Sequence, residues 1–585
     1  MSLAVFPQPK YWQPQAGVFA LPSQWPEQAL NCSSLFPSWV EETLNVALSP
    51  QQFEISISPT QVKVRYGCTQ GRLYALYVLK QLCQHDSDLP CGQIIDAPDY
   101  PERGILLDIS RDKIPSLTHL FSLIDLWSEL RINQLQLYTE HTFAWSQHQT
   151  VWADKSPMTA DEIQQVDQYC QSKGIELIIN VATFGHMERW LAHPEYKHLA
   201  EQTTGFYDQR GDFRPFSFGL NPVSDESVNF VSGLIDELVP NFTSQTININ
   251  FDETMDLGVS ASKAACEATS KGQVYVDYLN KILKLTRAKG LHTQIFSDML
   301  FQYPDILAQL PSNLTLLNWG YEADHPYDEE HQQLAKTGLP FHVVVSTCCF
   351  ASVSGRWQNA KTHMLRAAKS GLRFGATGYQ ISEWGDMGHA QQDIFPYAGY
   401  IYGAGLAWNI EQNEQADITF WLNHFVCQGD EQAAFWALRL QDIYLDLGID
   451  TPNACFLGPL LFDQKFRRHL RRSENLTDAG FDRAQDQITP CLEELSQGAT
   501  TAIREQLIFT AKLLHHGVLL GKQMLQQNTR AIEEFDSASK QLLAADLAPL
   551  LPQYKALWLA TNRAGGLADS VGRLEYLHGL YTQST

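Results

Sequence analysis

The stretch TININFDETMDLG, Thr246 to Gly258, opens with strand-like alternation and then sets two carboxylates side by side, Asp252 and Glu253. Successive side chains on a strand point to opposite faces. Both acids can therefore face one way only where the strand ends and the chain turns. The fold follows from whether neighbouring stretches end in the same manner.

From about residue 99 to about 410, strand-like runs alternate with helix-like ones. The strand candidates are Gly104 to Ser110, Gln134 to Tyr138, Ile175 to Ala182, the opening stretch, His292 to Ser297, Leu314 to Trp319, Phe341 to Ser346 and Gly378 to Ser382. Amphipathic runs separate most of them, and Thr159 with Glu162 forms a capping box before one. Mostly continuous apolar strands suit parallel strands buried on both faces. Eight βα units over this length predict a TIM (β/α)8 barrel with insertions, an α/β fold. A doubly wound open sheet is the runner-up, weakened by the lack of a glycine-rich phosphate turn after the first strand.

Residues 1–98 read as a small N-terminal α/β domain, with a hairpin at FEISISP and QVKVRYG and a helix at GRLYALYVLKQLCQ. Residues 99–410 hold the barrel. Residues 411–585 carry helical periodicity throughout and predict an all-α C-terminal domain. The apolar stripe of LIFTAKLLHHGVLL must be buried against the barrel or a second subunit, and a homodimer is expected.

The 585 residues, 44% hydrophobic and 18% charged, describe a folded chain of several domains. A net charge of −23 argues against nucleic acid or an anionic membrane surface as partner. The opening MSLAVFPQPK lacks the features of a secretory signal, and no apolar run approaches a membrane span. Eleven cysteines without CxxC spacing suit reduced thiols. A cytoplasmic location is expected.

In such a barrel the chemistry sits at the C-terminal ends of the strands. The first strand has Arg103 just before it and Asp108 and Arg111 at its end. Then come Glu140 and His141, His186 in TFGHMERW, Asp252 and Glu253, Asp298, Trp319 with Tyr321, Trp357, and Trp384, Asp386 and His389 in SEWGDMGH. Acids, arginine and tryptophans together suit a pyranose pocket, because rings cover the sugar's C–H face while charged groups take its hydroxyls.

Adjacent residues start from α-carbons only about 3.8 Å apart. Ordinary glycosidases place two carboxyls across the scissile bond, about 5–5.5 Å apart when retaining and about 6.5–9.5 Å when inverting. Neighbours on one loop suit neither. The nucleophile should come from elsewhere, and a 2-acetamido oxygen of the substrate is the obvious source.

RGILLDISR, YTEHTF, FGHMERW, NFDETMDLG and EWGDMGH, in this order, resemble glycoside hydrolase family 20, the β-N-acetylhexosaminidases, most of all a cytoplasmic bacterial branch with a helical domain after the barrel. The resemblance implies exo-acting removal of terminal β-GlcNAc or β-GalNAc from a glycan or glycoconjugate, by retaining, substrate-assisted catalysis with no metal and no other cofactor. It implies Glu253 as general acid/base and Asp252 as the residue orienting the acetamido group. Arg103 matches the arginine gripping the 3- and 4-hydroxyls, Trp384 and Asp386 a W-x-acid pair on the sugar, His186 a neighbour of the acids and Trp319 a pocket wall.

The chain also departs from the family pattern. Asn250-Phe251 stands where many members have two small residues, and Glu140 substitutes for an acidic motif. No tyrosine follows the seventh strand, so Tyr321, with Tyr303 second, is assigned to the acetamido carbonyl. Three rivals stand beside this reading. A metal-dependent hydrolase would use His141, His186 and His389, but no H-x-H or H-x-x-x-H supports it. A conventional β-glycosidase would pair Glu253 with Glu140 or Glu383. A sugar-binding protein without catalysis needs no acid poised at a glycosidic oxygen.

Overall fold

The computed structural model describes residues 3–22, 30–85, 88–208, 211–449, 451–465 and 475–583. Eight parallel strands close into a barrel: Glu102–Asp108, Gln134–Tyr138, Glu176–Asn180, Thr246–Asn248, His292–Phe296, Leu314–Trp319, Phe341–Ser346 and Gly378–Glu383, the last pairing with the first. Closure removes the open-sheet alternative. Nearly every strand residue is buried, which is why the runs read as continuously apolar. Amides inside the barrel bond through one another: Gln136 donates to Gln294 Oε1 at 2.9 Å, and Asn180 and Asn248 each donate to Gln136 Oε1 at 2.9 Å. An unsatisfied amide there would cost about 1–3 kcal/mol.

Helices follow most strands. The capping box forms as read, with Thr159 N–H donating to Glu162 Oε2 at 2.9 Å at the start of Ala160–Ser172. After the fifth strand there are only two short pieces, Asp298–Gln302 and Pro304–Gln309.

Before the barrel lies a five-stranded sheet with one helix, Thr69–His85. Its hairpin, Phe53–Ser58 and Gln61–Tyr66, buries Phe53, Ile55, Ile57, Val62 and Val64. This layer meets the N-terminal ends of the barrel strands through buried charges. Arg131 pairs with Asp96 at 2.9 Å and stacks over Trp408, 4.5 Å from the ring centre.

Arg103 belongs to that floor, which corrects its assignment to the sugar. The first strand starts at Glu102, so Arg103 sits at its N-terminal end. It is fully buried, with Nε donating to Arg131 O and Nη2 to Tyr74 OH, both at 2.8 Å, and Nη1 to Gln51 Oε1 and Tyr100 O, both at 2.8 Å. It locks the N-terminal layer to the barrel.

Beyond Trp408 the described residues form helices and loops. The stretch SKQLLAADLAPLLPQYKALWLATN divides into Ser537–Leu547 and Leu550–Thr561, because Pro549 has no N–H to continue the first helix. The stripe of the helix Ala502–Gln526, including Leu507, Leu513, Leu514 and Val518, is buried in a core continuous with that of the barrel. It is covered within the chain and no longer argues for a second subunit. All eleven cysteines are free thiols. Among the described residues no helix is long and apolar enough to cross a membrane.

Candidate active site

The fourth strand ends at Asn248, and the chain then enters left-handed backbone at Asn250 (φ 63°), Phe251 (φ 70°) and Glu253 (φ 46°). This turn breaks the alternation and lets Asp252 and Glu253 face the same mouth. A bulky residue with positive φ is a genuine outlier, and such strain persists only where its surroundings over-determine it. They do so here. Asn250 N–H donates to Asn248 Oδ1 at 2.9 Å, Tyr275 OH to Phe251 O at 3.0 Å, and Glu253 N–H to Asp298 Oδ2 at 3.0 Å. The Phe251 ring packs among Phe184, Tyr275 and Tyr278.

His186, itself at φ 59°, faces both acids. Its Nε2 lies 3.3 Å from Asp252 Oδ2 and 3.4 Å from Glu253 Oε2. Neither approach has hydrogen-bond alignment, so they hold charge more than direction. Nδ1 lies 3.3 Å from Arg111 Nη2. Burial lowers the imidazole pKa, but Asp252 and Glu253 outweigh it and hold it well above its ordinary value. The Asp252 side chain is buried, and its Oδ1 accepts no hydrogen bond, while Glu253 is 42% exposed. Burial and the facing Asp252 carboxylate push Asp298 up to about 8.

The arginine at this mouth is Arg111. Its Nη1 donates to Asp108 Oδ2 at 3.0 Å and its Nε pairs with Glu140 Oε1 at 3.1 Å. The guanidinium lies over the rings of Tyr138 and Trp384, 4.5 and 5.2 Å from their centres. Glu140 is buried, accepts from Tyr138 OH at 3.1 Å, and is pushed by burial up to about 7 against the pull of Arg111. Strand polarity separates the two arginines: Arg111, already placed at the end of the first strand, faces the mouth, whereas Arg103 lies at the strand's start. Tyr138, ending the second strand, was missed because it reads as core.

An aromatic wall completes the mouth. Trp384 Nε1 donates to Tyr321 OH at 2.9 Å and meets Tyr138 edge-on at 5.0 Å. Tyr321 stacks on Trp319 at 5.3 Å. Asp386 stands exposed at the lip, within Coulombic reach of Arg111 and Glu253. Tyr303 instead turns toward Tyr275, on an outer helix. Trp357 also falls outside the mouth, a second correction. It is buried edge-on to Tyr402 between outer helices, at 5.9 Å, because it begins the helix Trp357–Phe374.

Among the described residues, His186, Asp252 and Glu253 bring possible metal-ligand atoms within 4.8 Å of one another. His141 and His389 do not join them. Burial holds both of those imidazoles well below their ordinary pKa. Glu383 is engaged by other partners, accepting from Thr347 Oγ1 and from Gln391 Nε2.

A closed (β/α)8 barrel with an acidic, aromatic-walled mouth defines the class. Residues 100–393, just over half of the 585, match the model described as Glycosyl hydrolase family 20, catalytic domain, and the chain belongs to that family. It is similar to a β-hexosaminidase of Akkermansia muciniphila, 24% identical over 229 residues, 35% of this chain and 46% of that protein. It is also similar to hexosaminidase D of Homo sapiens, 27% identical over 221 residues, 36% of this chain and 43% of that one. The chain thus spans less than half the length of either relative. Among solved structures it resembles a GH20 exo β-N-acetylglucosaminidase from Vibrio harveyi, with TM-score 0.58 and 16% identity over 74% of this chain and 79% of that chain. A Flavobacterium johnsoniae chitobiase aligns over 98% of this chain and 99% of its own, with TM-score 0.58 and 14% identity. At such identities the structural likeness carries the fold.

Proposed function

We propose that this chain is an exo-acting β-N-acetylhexosaminidase that removes terminal β-linked GlcNAc or GalNAc by substrate-assisted, retaining hydrolysis. The carrying observation is the pair on one left-handed turn: a buried Asp252 whose Oδ1 accepts nothing, beside the exposed carboxyl of Glu253. A buried acceptor of that kind suits an amide N–H. In the proposed cycle the acetamido oxygen attacks C1 while the C1–O bond breaks and Glu253 gives its proton to the departing oxygen. Asp252 holds the amide N–H and balances the oxazolinium charge. Water then attacks C1, Glu253 takes its proton, and the acetamide reopens, so two inversions retain the β configuration. Tyr321 donates to the acetamido carbonyl. Arg111 and Asp386 grip the hydroxyls, and Trp319 and Trp384 cover the ring faces.

The conventional two-carboxylate reading is disfavoured because Glu383 is occupied by Thr347 and Gln391, and Glu140 by Arg111 and Tyr138. A homodimer and a cytoplasmic location belong to the proposal as well; light scattering at micromolar concentration tests the first. The activity itself is tested by β-GlcNAc against β-glucosyl aryl glycosides, with and without EDTA. Cleavage of the GlcNAc substrate alone, untouched by EDTA, is expected. Cleavage of both, or loss with the chelator, would overturn it.

A further inference from the structure

We propose that the C-terminal helices are a working part of the mouth, with Gly566, Asp569 and Ser570 as positioning residues for Arg111 and Asp386. The inference rests on the reading that these two groups hold the sugar. The helices Leu550–Thr561 and Leu567–Thr582 are joined by a short link, which runs antiparallel to the loop that follows Arg111. Ser116 N–H donates to Thr561 O at 2.9 Å, Arg563 N–H donates to Ile114 O at 2.8 Å, and Pro115 pairs with Asn562.

The tightest contact is at Gly566. A Cβ there would lie 1.9 Å from Asp112 O and 2.5 Å from its carbonyl carbon, and the residue has φ 76°. Only glycine lets the helix approach this closely. Asp112, next to Arg111, is itself left-handed at φ 73°. Its carboxylate takes Arg189 Nη2 at 2.8 Å, and Arg189 Nη1 reaches Asp569 Oδ2 at 3.1 Å. A chain of charge thus leads from the C-terminal helix to the residue beside Arg111.

The same helical turn holds the second loop. Ser570 Oγ donates to Gly388 O, two residues past Asp386, and Tyr554 OH meets the same hydroxyl at 2.5 Å. On the inner side, Asp108 ties the two loops together, accepting from Arg111 N–H and from Gly385 N–H, both at 3.0 Å. Each loop is therefore clamped between Asp108 within the barrel and residues 566–570 outside it. The Asp252–Glu253 turn, by contrast, is held by Asn248, Tyr275 and Asp298 of the barrel. Disturbing the C-terminal clamp should weaken sugar binding more than it alters protonation of the leaving group, since Arg111 reaches Glu253 through His186 and Asp386 acts on it through charge.

The test uses the full chain with Gly566→Ala and Asp569→Asn. Asp569 pairs with Lys155 at 3.0 Å as well as with Arg189, and Asn keeps its shape while removing the charge. GlcNAc inhibition should weaken about tenfold in Gly566→Ala, the scale of one displaced charge-assisted contact, and less in Asp569→Asn. The dependence of rate on aryl leaving group should stay close to that of the parent. Hydrogen exchange should quicken in peptides spanning Arg111 to Ser116 and Gly385 to Gln391 but not in Asn250 to Met255. Lys555→Ala, which breaks only an exposed pair with Glu575, should change none of these. Unchanged exchange in both loops, or unchanged GlcNAc inhibition in the folded variants, overturns the inference. A parent enzyme that does not bind GlcNAc overturns the proposed function instead, while the exchange data still decide the clamp.

Discussion

Trp384 donates its indole N–H to the Tyr321 hydroxyl across 2.9 Å, joining the loop after the eighth strand to the end of the sixth. The indole occupies an acceptor position of that oxygen, and Ser382 neighbours the same hydroxyl; in the proposed reaction the hydroxyl turns its proton to the acetamido carbonyl. Tyr321→Phe should lower kcat by about 10²-fold, the scale of one lost donor to developing charge, with a smaller change in KM. Steady-state kinetics on an aryl β-GlcNAc decides it, and an unchanged kcat removes Tyr321 from the reaction.

Arg111 and Arg103 should separate cleanly. On the proposed reading Arg111 grips sugar hydroxyls, so Arg111→Ala should reduce kcat/KM by on the order of 2–5 kcal/mol. Arg103→Met unties the barrel floor and should cost about 2–4 kcal/mol of stability, with kinetic constants of the folded fraction preserved. Urea melts beside initial rates distinguish the two. A kinetic defect confined to Arg103→Met would return that residue to the pocket.

Asp252 and Glu253 should fail in different ways. With Glu253 as the proposed acid, Glu253→Gln removes the proton for the leaving oxygen. Its loss, about 10²–10⁴-fold, should be worst for sugar leaving groups and mildest for activated aryl ones. Asp252→Asn acts on the nucleophile's side, so its cost should persist with good leaving groups. Identical leaving-group slopes would refute this division of labour.

Glu383 supplies a pH prediction. Burial pushes its carboxyl up to about 7, against hydrogen bonds from Thr347 and Gln391. The ordinary value is about 4.3, so between these pH values the folded state binds more protons than the unfolded one. Stability from this group is fully present below about 4.3 and is lost as pH rises through about 7. Melting temperatures of the parent should therefore fall relative to Glu383→Gln across that window, with a constant offset outside it. A pH-independent difference would show that the carboxyl has the same pKa folded and unfolded.

The barrel was legible because each strand is an apolar run buried on both faces, ending in polar residues. The Asp252–Glu253 pair was legible because strand alternation forbids it except at a turn. What escaped was tertiary. Arg103 and Arg111 lie at opposite ends of one strand, and the family resemblance assigned the sugar to the arginine at the floor end. Trp357 follows a strand end, but it starts a helix and packs outward. Asn250 and Phe251 looked like departures from a small-residue pattern, and their positive φ shows why small residues suit those positions. Here an Asx bond and an aromatic cluster hold the turn instead. Gly566, some 450 residues along from the loop it touches, carries no local signal at all.

The most direct test of substrate-assisted catalysis is the rate on aryl β-glycosides whose N-acetyl group carries zero, one, two or three fluorines. Fluorine withdraws electrons from the acetamido oxygen and leaves the carboxylates alone. If that oxygen is the nucleophile, kcat/KM falls steeply with each fluorine added. A flat series would mean that the acetamido oxygen does not attack C1 and would contradict the roles given to Asp252 and Glu253.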